Sequence, residues 1–96
     1  MNGIAFEWDD AKDRVNRRKH GISFDEARTV FLDENALRFS DPDHSVDEDR
    51  FLMLGMGFRL RVLVVCHCFR VVDSTIRIIS ARKADRKEEA EYFRNW

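Results

Sequence analysis

Leu60-Arg-Val-Leu-Val-Val-Cys-His-Cys-Phe-Arg70, followed after a short turn by Thr75-Ile-Arg-Ile-Ile-Ser80, is the stretch that decides the fold. Its density of β-branched side chains and its period of two read as a long strand paired with a second one. Successive side chains of a strand point to opposite faces, so Leu60, Val62, Val64, Cys66 and Cys68 share one face. Arg61, Leu63, Val65 and His67 share the other. The first set is apolar throughout and is expected to face the helices. The second strand repeats the division, Ile76 and Ile78 against Arg77 and Ile79. Arg61, Arg77 and His67 are thereby expected on the sheet face away from the helices, with Arg82 and Arg86 at its mouth.

Working outward, Arg50 to Gly55 alternates as a further strand, Gly55 and Gly57 mark a hairpin turn, and Ala36 to Ser40 reads as another strand. Asp41-Pro42-Asp43 predicts a turn, leading into an acidic surface loop through Asp49. Near the start, Ile4 to Trp8 alternates as a short strand. Asp9 or Asp10 then caps a helix that runs to about Lys19 and ends at Gly21; its apolar side is thin, Ala11 and Val15. Ser23 with Glu26 is a capping-box signature for a second helix, Phe24 to about Leu32, and Asp85 with Glu88 for a last helix to about Arg94. The order is β-α-α-β-β-β-β-α. It predicts an α+β fold, an antiparallel meander sheet with helices packed on one face. The 96 residues suffice for one domain, residues 1–96.

Hydrophobic residues make up 44% and charged residues 36% of the chain, which excludes a disordered protein. No apolar run approaches the roughly 20 residues of a membrane helix. The start, Met1 to Arg14, lacks a charged-then-apolar leader, so the expected location is cytoplasmic. The net charge of −1 conceals a division. Residues 25–49 carry nine acidic side chains against two basic, and residues 50–87 nine basic against two acidic. A basic excess of this size speaks to partners.

Cys66 and Cys68 are two apart on one strand, about 7 Å between Cα atoms, which disfavours a disulfide. Cys66-His67-Cys68 suggests zinc, with His20 or His44 as further ligands. However, His67 should point away from both thiols, and no second pair has finger-like spacing. Two small core thiols and no metal is the expectation. The arginines can grip phosphates bidentately or can simply form the solvated side of a half-buried sheet. His20, in Arg17-Arg18-Lys19-His20-Gly21, either complements the dipole at a helix end or serves as a general acid or base.

Phe6-Glu7-Trp8-Asp9, Arg18-Lys19-His20-Gly21-Ile22-Ser23-Phe24 and Arg77-Ile78-Ile79-Ser80-Ala81-Arg82-Lys83-Ala84 resemble, in order and spacing, the BrnT toxin family. Asp41-Pro42-Asp43-His44, Glu48-Asp49-Arg50 and Arg61-Val62-Leu63-Val64-Val65 extend the resemblance from Phe6 to about Tyr92. The chain departs from the family at His67, where Tyr is frequent, and in a slightly long turn between Arg70 and Thr75. The resemblance implies a RelE-like fold and a metal-independent ribonuclease toxin of a type II toxin–antitoxin system that inhibits translation without a cofactor. It also implies RNA as substrate and a BrnA-like ribbon-helix-helix antitoxin, with operator DNA contacted only through that antitoxin.

Metal-free RNA cleavage needs a base for the 2′-hydroxyl, cations for the charge developing on phosphorus, and an acid for the leaving 5′-oxygen. Arg77 and Arg82 are expected to stabilise that charge. His20 or His67 would act as acid or base. Lys19, Arg61, Ser80 and Arg86 would bind the substrate. The alternative is a non-catalytic nucleic-acid- or protein-binding module, acting as a regulatory subunit with a DNA-binding antitoxin.

Overall fold

In a computed structural model, residues 4–41 and 50–96 are described. The expected turn at Pro42-Asp43 and the loop through Asp49, with His44, lie outside them. The strands are β1 (Ala5–Glu7), β2 (Leu37–Ser40), β3 (Arg50–Met56), β4 (Val62–Arg70) and β5 (Thr75–Lys83), and the helices α1 (Asp10–His20), α2 (Phe24–Arg28) and α3 (Arg86–Arg94). They form one five-stranded sheet in the order β1-β5-β4-β3-β2. The meander from β2 to β5 is antiparallel, while β1 joins β5 in parallel, Ala5 opposite Thr75 and Glu7 opposite Arg77. The α+β class and the element order are as the sequence predicts.

Local chemistry explains the helix ends. Asp9 accepts hydrogen bonds from the Ala11 and Lys12 N–H groups, and Gly21 ends α1 at φ 72°, a conformation that favours a residue without Cβ. The Asp85–Glu88 capping box is complete in both directions. The Ser23 box is half made: its hydroxyl accepts from the Glu26 N–H at 3.0 Å, but the Glu26 carboxylate turns to Arg61. The second helix is also shorter than expected, giving way to a 3-10 turn over Thr29–Leu32. There the Thr29 hydroxyl donates back to the Glu26 carbonyl at 2.7 Å, a local bond that competes with the regular helical pattern.

The faces of β4 are the reverse of the expected ones. Leu63 and Val65 point into the core made with Ile22, Phe24, Ala27 and Val30 of the α2 side. Val62 and Val64 point to the opposite face, where they pack with Leu54 and with Tyr92 of α3. Helices therefore cover both faces, α2 one and α3 part of the other, with α1 beside β5. A strand that is apolar on both sides carries no signal for which side the helices choose. Gly55 lies inside β3 as the strand reading expects, and the turn it is also expected to mark begins only after Met56. A Cβ there would sit 2.9 Å from Ala36 Cβ and Val30 Cγ1, so glycine admits the 3-10 turn against the strand.

Candidate functional site

The site begins where β1 stops. With β1 only three residues long, β5 beyond Arg77 has no strand neighbour on that side, and α1 lies against its edge. The contact is made by Asn16, the buried residue of α1. Its amide oxygen accepts from the Ala81 N–H at 3.1 Å, and its amide nitrogen donates to the Ala81 carbonyl at 2.9 Å and the Ile22 carbonyl at 2.8 Å. One side chain thus supplies both partners a neighbouring strand would have given Ala81. The expected apolar side of α1 is corrected accordingly: Val15 is 55% exposed, and the helix docks through a polar group.

Between helix and edge lies a cavity of about 370 Å³, lined in part by Lys12, Lys19 and His20 of α1, Asp9 at its cap, and Ile79 and Ser80 of β5. A register shift beside Cys66 and His67 leaves Ile79 without a partner on β4: Ser80 faces Cys66 and Ile78 faces His67. This bulge changes the phase of β5, so that Ser80 and Ile79 reach the cavity, a common use of bulges. Hydrogen bonds from the Lys12 and Ala11 N–H groups hold the Asp9 carboxyl below its ordinary range, and Arg77 lowers it further across space. Of the residues expected to act, the fold brings His20, Lys19 and Ser80 together, while Arg77 is turned to Glu7 of β1.

The other arginines have partners. Glu7 accepts from Arg70 Nη1 and Nη2 at 2.8 and 3.0 Å and from Arg77 Nη1 at 2.9 Å. These bonds hold the Glu7 carboxyl down at about 2. Arg82 is gripped bidentately by Glu88 at 2.8 Å through each oxygen, which ties α3 to β5. Arg86 lies at the exposed start of α3.

Arg61 and His67 are not on the outer sheet face, contrary to expectation. Arg61, just before β4, keeps the strand's alternation and lies with Leu63, Val65 and His67 on the side that α2 covers. Its Nε and Nη2 each donate to the Glu26 carboxylate at 2.7 Å, and Nη2 also to the Gly21 carbonyl at 3.1 Å. Glu26 is 2% exposed and Arg61 reaches it from the surface, so the pair anchors α2 to the sheet. His67 is equally buried, its ring 4.8 Å from that of Phe31, on the α2 side. Burial pulls its pKa below the ordinary imidazole value.

Neither cysteine forms a disulfide, and burial pushes the Cys66 thiol up to about 11, which keeps it protonated and inert. Among the described residues, no group of three or more His, Cys, Asp or Glu is placed to hold a metal ion. No helix among them is long and apolar enough to cross a membrane. Sequence reasoning missed Asn16, Lys12, Glu7 and Glu88. The one available signal for the first is that Asn16 is the single uncharged polar residue before His20 in α1. The others depend on which distant strands meet.

A family model described as the ribonuclease toxin BrnT of type II toxin–antitoxin systems matches residues 8–88. No curated protein sequence matches the chain. Among solved structures, the fold is similar to that of the Brucella abortus ribonuclease toxin BrnT, with a TM-score of 0.67 and 23% identity over 88% of this chain and 100% of that one. Because the family model spans most of its length, the chain belongs to the BrnT family of ribonuclease toxins of type II toxin–antitoxin systems.

Proposed function

We propose that the chain is a metal-independent endoribonuclease that cleaves RNA in the cavity between α1 and β5, inhibits translation, and is neutralised by a BrnA-like antitoxin. The observation that carries this reading is the grouping of His20, Lys19, Lys12 and Ser80 along the unpaired edge of β5. His20 is the general base, removing the proton from a ribose 2′-hydroxyl. The 2′-oxygen forms a bond to the adjacent phosphorus as the bond to the 5′-oxygen breaks. Lys19 and Lys12, with the guanidinium nitrogens of Arg77 that Glu7 leaves open, offset the charge gathering on the phosphoryl oxygens. The leaving 5′-oxygen takes a proton from Lys19 or from the imidazolium formed in the first step. Ser80 donates a hydrogen bond to the scissile phosphate.

The products are a 2′,3′-cyclic phosphate and a 5′-hydroxyl. Incubating the purified protein with RNA, free and ribosome-bound, in excess chelator tests this directly. Fragments with those ends are expected. No cleavage of either RNA, or cleavage that stops with chelator, contradicts the reading. Coexpression with a ribbon-helix-helix antitoxin is expected to relieve growth arrest, whereas a chain that is harmless when expressed alone supports the regulatory-subunit alternative.

A further inference from the structure

On the α2 side of the sheet, away from Arg82 and Ser80, a second cavity of about 300 Å³ has no part in the mechanism above. Its walls are Phe31, Phe69, Met53 and Ile76, with Ile4 at one side. Two polar side chains face this apolar space, His67 and Arg38. His67 is 2% exposed, and its Nδ1 lies 3.2 Å from the Val65 carbonyl. A carbonyl only accepts, so Nδ1 carries the proton and the neutral ring leaves Nε2 as a bare lone pair. Among the described residues Nε2 has no hydrogen-bond partner. Arg38 forms no ion pair with a described residue, and its guanidinium rests 4.7 Å over the Phe51 ring. An apolar cavity with one imidazole acceptor and one cationic donor complements a heteroaromatic ring that carries both an N–H and an acceptor.

We propose that this cavity seats one nucleobase of RNA, with His67 Nε2 accepting from a base N–H and Arg38 donating to a base oxygen or ring nitrogen. The base lies against Phe31 and Phe69, as unstacked bases do on aromatic side chains. The proposal rests on the ribonuclease reading for its choice of RNA. It places base selection apart from the cavity that cleaves.

The test uses the full chain and two sets of probes, the four ribonucleosides and short 2′-O-methyl RNAs that cannot be cleaved. The ¹⁵N signals of the His67 ring report the contact. At least one nucleoside is expected to shift Nε2, and an RNA containing that base to bind more than about tenfold tighter than the nucleoside. Arg38→Met, at an exposed position, is expected to weaken the RNA by about tenfold, as is His67→Phe. The proposal is overturned if no probe moves the His67 signals, or if both variants bind RNA undiminished. A free nucleotide that binds as tightly as the RNA, or a His67 response to the antitoxin alone, also overturns it. Cleavage by the wild-type chain is measured alongside. Base binding without cleavage discards the enzyme reading, and cleavage without base binding discards the pocket.

Discussion

The strand arginines and the cations of the first helix lead different lives. Arg61, Arg70, Arg77 and Arg82 each meet a carboxylate at 3.0 Å or closer, from Glu26, Glu7 and Glu88. Lys12, Lys19 and His20 line a cavity and form no ion pair with a described residue. The difference teaches that a count of basic residues does not locate a phosphate site. A cation already neutralised by a protein carboxylate has less field to offer a ligand. The nine basic residues between positions 50 and 87 looked like the anion-binding surface. Much of their charge instead fastens α2, α3 and β1 to the sheet.

This contrast can be broken by substitution. After the loss of the base itself, the largest expected effect is again on catalysis: Lys19→Ala should lower the rate of RNA cleavage by about 10²-fold with the fold intact, whereas Arg82→Met should leave cleavage nearly unchanged. Next in size is Arg61→Ala, which leaves the Glu26 carboxylate buried and unpaired and should cost about 3 kcal/mol in denaturant unfolding. An unchanged midpoint would show that water reaches Glu26. Asn16→Ala strips both partners from Ala81, with an expected loss of about 2 kcal/mol and a further drop in activity as α1 loosens from β5. Asn16→Asp, which sets a carboxylate oxygen against the Ile22 and Ala81 carbonyls, should recover neither.

Sequence reading captured what is decided within a few residues. The Asp9 cap, the Gly21 stop and the Asp85–Glu88 box are local, and each stands where it is expected. So is the alternation that defines β4, although not its orientation, because Leu63 and Val64 are equally apolar and only packing tells them apart. The Ser23–Glu26 signature shows the same limit. The spacing is right, but Arg61, 35 residues on, takes the carboxylate. His20, Lys19 and Ser80 were legible as candidates by chemistry. Their meeting depends on a bulge at Ile79 and a clamp at Asn16, neither of which has a short-range pattern.

The smallest expected effects concern pH. Burial lowers the His67 pKa from 6.5, so the unfolded chain takes up that proton first as pH falls. Stability is then full above about pH 6.5 and declines below it, and His67→Phe should flatten that part of a melting-temperature profile. Glu7, held at about 2 against 4.5 unfolded by Arg70 and Arg77, contributes above pH 4.5 and loses its contribution as pH falls through 2. Glu7→Gln should therefore lower stability above pH 4.5 and flatten the acid limb between about 4.5 and 2.

The central claim is that chemistry resides at the α1–β5 edge, with His20 as the base. The most direct measurement is the single-turnover cleavage rate of His20→Ala on RNA, taken together with its melting temperature. The account predicts a wild-type melting temperature and a rate lower by about 10²- to 10⁴-fold. A folded variant that cleaves at the wild-type rate would contradict it.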